Sequence, residues 1–169
     1  MIDIYYTYFS YLDTRLIAYA TDDGVIRLSL SEDKYNHEHE KFLLKHFGKN
    51  YRLINARNSY LDDLAQYLQH YFAGDFELCV LPQLKLYGSE FQLRVWTRLL
   101  ELDVAETMSY GSLATDLQTA AQPVGNAVGA NPIMIVVPCH RVLAKHDIGG
   151  FHFDLLYKKK LLNLEQVKF

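Results

Sequence analysis

Apolar and polar residues alternate from the first residue to about position 31, in a stretch rich in β-branched and aromatic side chains. That period of two predicts half-buried strands. Asp22-Asp23-Gly24 separates Leu16–Ala20 from Val25–Leu30 and reads as a hairpin turn. Residues 35–47 are charged and predict a helix, with His37, His39 and His46 on a solvated face. Tyr51–Asn55 suits a further strand. Ser59 with Asp62 resembles a capping box that opens a helix carrying Leu61, Leu64, Leu68 and Tyr71 at helical spacing, and Gly74 ends it. Phe76–Leu81 reads as a short apolar strand and Pro82–Gly88 as a linker.

Beyond the linker the period changes to that of helices. Ser89 with Gln92 forms a capping box, and Phe91, Val95, Leu99 and Leu102 line one apolar stripe with Trp96 beside it. Ser109 caps a short helix with Leu113 and Leu117 four apart. After a break at Gln118-Thr119 a second helix runs from about Ala120 to Ala130. Two short helices joined by a tight turn are a helix-turn-helix pattern, which by itself is weak, since most such pairs are only packing units. Gly125, Ala127, Gly129 and Ala130 leave the second helix nearly bare, so it can lie close to a neighbouring helix or to another backbone. Asn131-Pro132 then breaks the chain, Ile133–Val137 is an apolar run that must be buried, and Pro138 stops it. The closing stretch predicts a helix with Lys158, Leu161, Leu162 and Glu165 on one face.

Composition narrows the picture modestly. A chain of 169 residues, 50% hydrophobic and 22% charged, has length for one or two domains with a real core. The formal net charge of −3 gives no bulk sign of a nucleic-acid binder, so any DNA contact has to rest on a local patch. The excess of aromatics, chiefly 13 tyrosines, reads as partly buried packing surface. Two cysteines, Cys79 and Cys139, do not make a disulfide framework. With no leader pattern, they point to a reducing setting: cytoplasmic, or nuclear in a eukaryote. No apolar run approaches membrane-spanning length, and no repeat is visible. The histidine spacing at 37, 39 and 46 is not a metal-ligand signature.

Directly after Pro138 come Cys139, His140 and Arg141. A cysteine is a strong nucleophile only as the thiolate, and a neighbouring base or cation promotes that form. The residues alone leave two readings open. Cys139 is either a small buried hydrophobe beside a core histidine, or a nucleophile beside its base.

The whole string Asn131-Pro132 to Pro138-Cys139-His140-Arg141-Val142 resembles the active-site motif of the O6-alkylguanine-DNA alkyltransferases. Phe91-Gln92 with Val95-Trp96, Ser109-Tyr110-Gly111, Val124-Gly125-Asn126-Ala127 and Gly149-Gly150-Phe151 resemble further segments of that family, as do Lys158, Leu161, Leu162 and Glu165. The resemblance runs from about Leu84 to Glu165, roughly half the chain.

The resemblance implies an α+β fold: a small N-terminal α/β, ribonuclease H-like domain over residues 1–82, structural in role, and a mostly helical C-terminal domain with the helix-turn-helix over residues 83–169. It implies DNA repair by irreversible transfer of the alkyl group of O6-alkylguanine, with O4-alkylthymine left open, to Cys139, once per molecule. His140 would be the base, Glu165 would orient it, and Tyr110 would donate to the leaving guanine. Asn131 would hold the turn, and Val142, Ile148, Gly149, Gly150 and Phe151 would enclose a base flipped from the stack. Ser109, Tyr110, Gln122, Gly125, Asn126, Gly129 and Arg141 would lie at the DNA, with Arg141 serving chiefly as a backbone anchor. The implied partner is double-stranded DNA, entered through the minor groove by a slim helix. The protein would act as a monomer, without metal, cofactor or membrane.

Two departures stand out. Gln122-Pro123 replaces the arginine that in the family fills the space of the flipped base, and His152-Phe153-Asp154 replaces a loop of small residues. Two rival readings remain: a protein of the same fold that binds alkylated DNA without accepting the group, and a Cys-His hydrolase. The presence of Cys139 weighs against the first, and the helix-turn-helix against the second.

Overall fold

The computed structural model describes residues 1–150 and 154–169. The chain divides into two compact units, Met1–Tyr87 and Gly88–Phe169.

The first unit is a four-stranded sheet in the order β3-β2-β1-β4, built from β1 (Ile2–Tyr11), β2 (Thr14–Thr21), β3 (Gly24–Leu30) and β4 (Tyr51–Ile54). β1 and β2 pair antiparallel with Tyr8 opposite Ile17, and β4 joins β1 in parallel with Leu53 opposite Ile4. β2 and β3 are antiparallel, with a register shift at Tyr19/Ala20. Helix α1 (Asn36–Phe47) packs Leu43 and Phe42 against Ile4, Ile17, Tyr19 and Ile26. Helix α2 (Ser59–Ala73) lies against β1, β2 and β3 through a stripe of Leu61, Leu64, Leu68 and Tyr71, all buried. Every residue of β3 is buried, the polar Arg27 and Ser29 included.

Four expectations change here. The alternating stretch contains a second hairpin turn, Leu12-Asp13, with both residues at positive φ (54° and 58°). A two-residue loop of this kind normally signals itself with Asn or Gly, and this one does not. The cap of α2 is Asn58, whose side chain accepts from Leu61 N–H, so Ser59 is already helical. Phe76–Leu81 is not a strand: Phe76–Leu78 is a single 3-10 turn. Pro82–Gly88 is no loose linker either, because Val25 N–H donates to the Gln83 carbonyl at 2.9 Å and Lys85 N–H to the Val25 carbonyl at 2.8 Å. Gly24 lies under that contact at φ 140°, where a Cβ would stand 2.8 Å from the Gln83 oxygen. Only glycine fits there.

His39 also departs from the solvated face predicted for it. It is 4% exposed, accepts from Arg27 Nε at Nδ1 (3.0 Å) and faces the Leu30 carbonyl at Nε2 (3.0 Å). A short strand's edge is thereby tied to α1 by a polar pair.

In the second unit, α3 (Glu90–Leu100) opens with the expected reciprocal capping box of Ser89 and Gln92. It buries Val95, Trp96 and Leu99, while Phe91 is half-buried. Strand β5 (Met108–Ser109) leads into α4 (Tyr110–Asp116), and α5 (Ala121–Gly129) follows after Gln118, which takes the turn at φ 54°. α4 and α5 pack on each other, and α5 packs on α3, where Trp96 Nε1 donates to the Ala127 carbonyl at 2.8 Å. The small residues of α5 therefore serve packing on one side. β6 (Val142–Leu143) pairs in parallel with β5, setting Val142 opposite Met108. Helix α6 (Leu155–Leu164) closes the unit with Tyr157, Lys158, Leu161 and Leu162 buried.

Candidate active site

Asn131 shapes the segment that carries Cys139. Its Nδ2 donates to the Val137 carbonyl at 2.8 Å, and its Oδ1 accepts from Ile133 N–H at 3.0 Å. One buried side chain thus staples both ends of the Ile133–Val137 run. The run folds into turns instead of a strand, with Ile135 at φ 72°. A β-branched residue in that region is strained and persists only where its surroundings over-determine it. Every residue from Asn131 to Val142 is buried. The segment ends in a single 3-10 turn, Cys139–Arg141.

The three side chains of that turn do different work. Cys139 is 3% exposed, and burial pushes its thiol above the ordinary range. The Asn131 side chain, Lys158 and the backbone N–H groups of Cys139 and His140 act in the opposite direction, favouring thiolate. His140 is wholly buried, and its Nε2 meets Glu165 Oε1 at 2.7 Å. Desolvation lowers the imidazole's pKa, while Glu165 resists that fall. The carboxylate accepts, so Nε2 carries the proton and Nδ1 is the basic nitrogen.

Glu165, the C-terminal cap of α6, receives more than His140. Arg141 Nε and Nη2 reach its two oxygens at 3.0 and 2.9 Å, and Ala105 N–H donates at 3.1 Å. Burial would raise this carboxyl's pKa, but the bonds from His140 and then Arg141 outweigh it and hold it well below the usual range. The third arm of Arg141, Nη1, donates to the Leu102 carbonyl at 2.8 Å. Its side chain is only 5% exposed and is committed to these bonds. Arg141, expected at the DNA and chiefly as a backbone anchor, is here buried and bonded to Glu165 and the Leu102 carbonyl.

Tyr110 is the first residue of α4, behind the cap Ser109, whose Oγ accepts from Ser112 N–H at 2.9 Å. Its ring stands against Gly149 at φ 75°, where a Cβ would meet the ring at 3.2 Å and Ala144 N at 2.9 Å. The Tyr110 hydroxyl donates to the Gly150 carbonyl at 3.4 Å. Burial, and then the charge of Cys139, raise its pKa. Ile148 and Gly149 are half-buried and Gly150 is exposed, while the Val142 side chain is fully buried. Phe151 and the following His152 and Phe153 lie outside the described residues. On α5, Gln122 and Asn126 are exposed and Gly125 and Gly129 half-buried, at helical spacing on one face. A pocket of about 550 Å³ opens beside Tyr110, lined by Ser109, Ser112, Thr115 and Lys145 among others. Lys145 and Lys158 received no role from the sequence.

Residues 90–167 match the family described as 6-O-methylguanine DNA methyltransferase, DNA binding domain. A methylated-DNA–protein-cysteine methyltransferase of Haemophilus influenzae is 33% identical over 175 residues, spanning 100% of this chain and 90% of the relative. The chain belongs to the methylated-DNA–protein-cysteine methyltransferase family. A probable member from Acanthamoeba polyphaga mimivirus is 41% identical over 59% of this chain and 68% of its own length. The methyltransferase fold matches as well. The crystal structure of the Mycobacterium tuberculosis O6-methylguanine methyltransferase superposes with a TM-score of 0.78 at 28% identity, covering 96% of this chain and 93% of that one. A Mycobacterium tuberculosis OGT in complex with DNA gives 0.76, also at 28% identity. The α+β class expected from the sequence is that of these structures.

Among the described residues, no three His, Cys, Asp or Glu side chains gather as a metal site, and no helix is long and apolar enough to cross a membrane. Both cysteines stand as thiols.

Proposed function

We propose that this protein repairs DNA by moving the alkyl group of O6-alkylguanine onto Cys139. The observation that carries the reading is the Cys139–Arg141 turn, where a buried thiol sits one residue from a histidine held by the Glu165 carboxylate. Its support is family membership and the likeness to a relative described in complex with DNA.

In this reading His140, through Nδ1, takes the thiol proton directly or by way of a water. The sulfur attacks the alkyl carbon, an S–C bond forms, and the C–O6 bond breaks. Tyr110 turns from the Gly150 carbonyl to donate to the guanine as negative charge develops on it. The base leaves as guanine once it has regained a proton. Preorganised donors of this kind are worth most where water is excluded. The thioether does not revert, so each molecule acts once. No second thiol is proposed to regenerate Cys139.

The exposed face of α5 bearing Gln122, Gly125, Asn126 and Gly129 suits close approach to a minor groove, together with Ser109 and Tyr110 at the start of α4. Ile148, Gly149 and Gly150, with Phe151, would cover the flipped base. The protein would act as a monomer in the cytoplasm, or in the nucleus of a eukaryote. Intact mass after incubation with an O6-methylguanine duplex tests the proposal. One methylene gained per molecule is the expected result. Unchanged mass with retained DNA binding would make this a binding protein instead.

A further inference from the structure

Helix α3 carries two arginines one turn apart, and both reach the turn that joins α4 to α5. Arg94 Nη2 donates to the Leu117 carbonyl at 3.2 Å. Arg98 Nε donates to Asp116 Oδ2 at 3.1 Å, while its Nη1 lies 3.4 Å from Glu101 Oε2. Asp116 is the last residue of α4, and Leu117 is its C-terminal cap. Cations there meet the partial negative charge of the final helix carbonyls. The turn carries strain of its own. Gln118 stands at φ 54°, a left-handed conformation in which glycine is the usual residue at a helix end. Gln118 N–H donates to the Thr115 carbonyl at 3.1 Å, and Thr119 N–H donates to the Ala114 carbonyl at 2.9 Å. That pair of bonds is a Schellman closure. It occupies the carbonyls of Ala114 and Thr115, and the next one along the turn that Arg94 takes is that of Leu117.

We propose that Arg94 and Arg98 are positioning residues: together they brace the 116–120 turn against α3, and so set where the first turn of α5, with Gln122, meets a DNA groove. The inference rests on the proposed function for the role of α5 at DNA. Trp96, on the same helix α3, holds the later half of α5 through the Ala127 carbonyl. The arginines hold the chain just before α5 begins. α5 is thereby mounted on α3 at both ends, and the strained Gln118 is kept in place between them. A single exposed ion pair is worth little. Arg98 and Asp116 are 28% and 43% exposed, so loss of the brace should shift the geometry of α5 without unfolding the unit. The alkyl transfer itself takes place at the Cys139 turn, which these arginines do not touch. Their effect belongs to the step in which duplex DNA is engaged and the base extruded.

The test compares the wild type with Arg94→Met, Arg98→Gln, Asp116→Asn and the double variant Arg98→Gln/Asp116→Asn. Measured are duplex affinity and single-turnover alkylation by an O6-methylguanine duplex and by free O6-methylguanine base. Each single variant should lower duplex rate and affinity by about two- to fivefold, the scale of a part-exposed ion pair. The free-base rate should stay unchanged. The double variant should be no worse than either of its single changes, since both remove one contact. Asp116→Asn separates the brace from a direct phosphate contact by either arginine. Removing an acid beside a phosphate contact would tighten binding, whereas losing the brace weakens it. Amide exchange gives a readout that needs no DNA. The Gln118 and Thr119 amides should exchange several-fold faster in each variant, with those of Val95 and Trp96 unmoved. Tighter binding by Asp116→Asn would overturn the proposal, as would a salt dependence flatter by about one unit of slope in Arg98→Gln. Additive losses in the double variant, equal losses on duplex and free base, or wild-type rates and exchange throughout would also contradict it. If the wild type takes no alkyl group from duplex or base, the proposed function fails, while duplex affinity and amide exchange still decide the brace.

Discussion

Glu165 is the acceptor on which the site's residues converge, and the energetics of a buried carboxylate make it decisive. A buried charge survives only when paired and hydrogen-bonded, and Glu165 has His140, Arg141 and Ala105 N–H. Removing the ring in His140→Ala should slow alkylation by about the 10²–10⁴-fold typical of a lost general base. Glu165→Gln should slow it less, because the amide oxygen can still orient the ring. It should nonetheless lower stability by roughly 3–5 kcal/mol, since Arg141 is left as a buried charge without its counter-ion. Single-turnover rates with thermal melts check both, and wild-type rates in both variants would mean Cys139 is activated in another way. The sequence carried much of this. The Cys139–Arg141 string and the helical face ending at Glu165 were legible because each is local. The pairing of Arg141 with Glu165 was not, for it depends on how α6 meets the Cys139 turn, and no spacing along the chain encodes that.

At the scale of elements, α5 shows what substitution of the family's arginine by Gln122 should do. Gln122 is exposed in the first turn, on the face that also carries Asn126. A glutamine is long enough to enter the stack, yet brings no charge to a narrow, negative groove. Extruding a base costs a few kcal/mol, and a poorer plug offsets less of it. Gln122→Arg should therefore raise the alkylation rate on duplex DNA while leaving the rate on free base unchanged, and Gln122→Ala should lower the duplex rate alone. The ratio of the two rates is the quantity to measure, and one constant ratio across all three proteins would remove Gln122 from this role. In the first unit, β3 and α1 meet at Arg27 and His39. Desolvation, then the Arg27 charge, lower His39 from 6.5 to about 4. Below pH 6.5 the unfolded chain takes up a proton that the folded chain refuses until about pH 4, so stability falls as pH falls through that window. The effect is on the order of 3 kcal/mol. Denaturant midpoints should drop more steeply over that range in the wild type than in His39→Gln, and parallel curves would contradict the assignment. Helices were easiest to foresee here, because caps and a period near four fix them locally. The Leu12-Asp13 turn and the Phe76–Leu78 turn were missed since the residues there lack turn chemistry or carry an apolar run that tertiary packing overrides.

For the whole molecule, the residues proposed to carry the chemistry all lie in the second unit. The first unit buries an Arg27–His39 pair. The second brings Cys139, His140, Glu165 and Tyr110 together from a turn, a helix start and the closing helix. The net charge of −3 gave no warning of a DNA partner, because the face proposed to meet DNA is local and net charge is a bulk property. The central claim is that one thiol, in one place, accepts the alkyl group. Peptide mapping of the protein after exposure to a duplex carrying a deuterated O6-methylguanine tests it most directly. The account expects the label on the peptide containing Cys139, at one equivalent per molecule, with Cys79 unmodified and no transfer to Cys139→Ala. Label on Cys79, or product formed well beyond one equivalent, would contradict it.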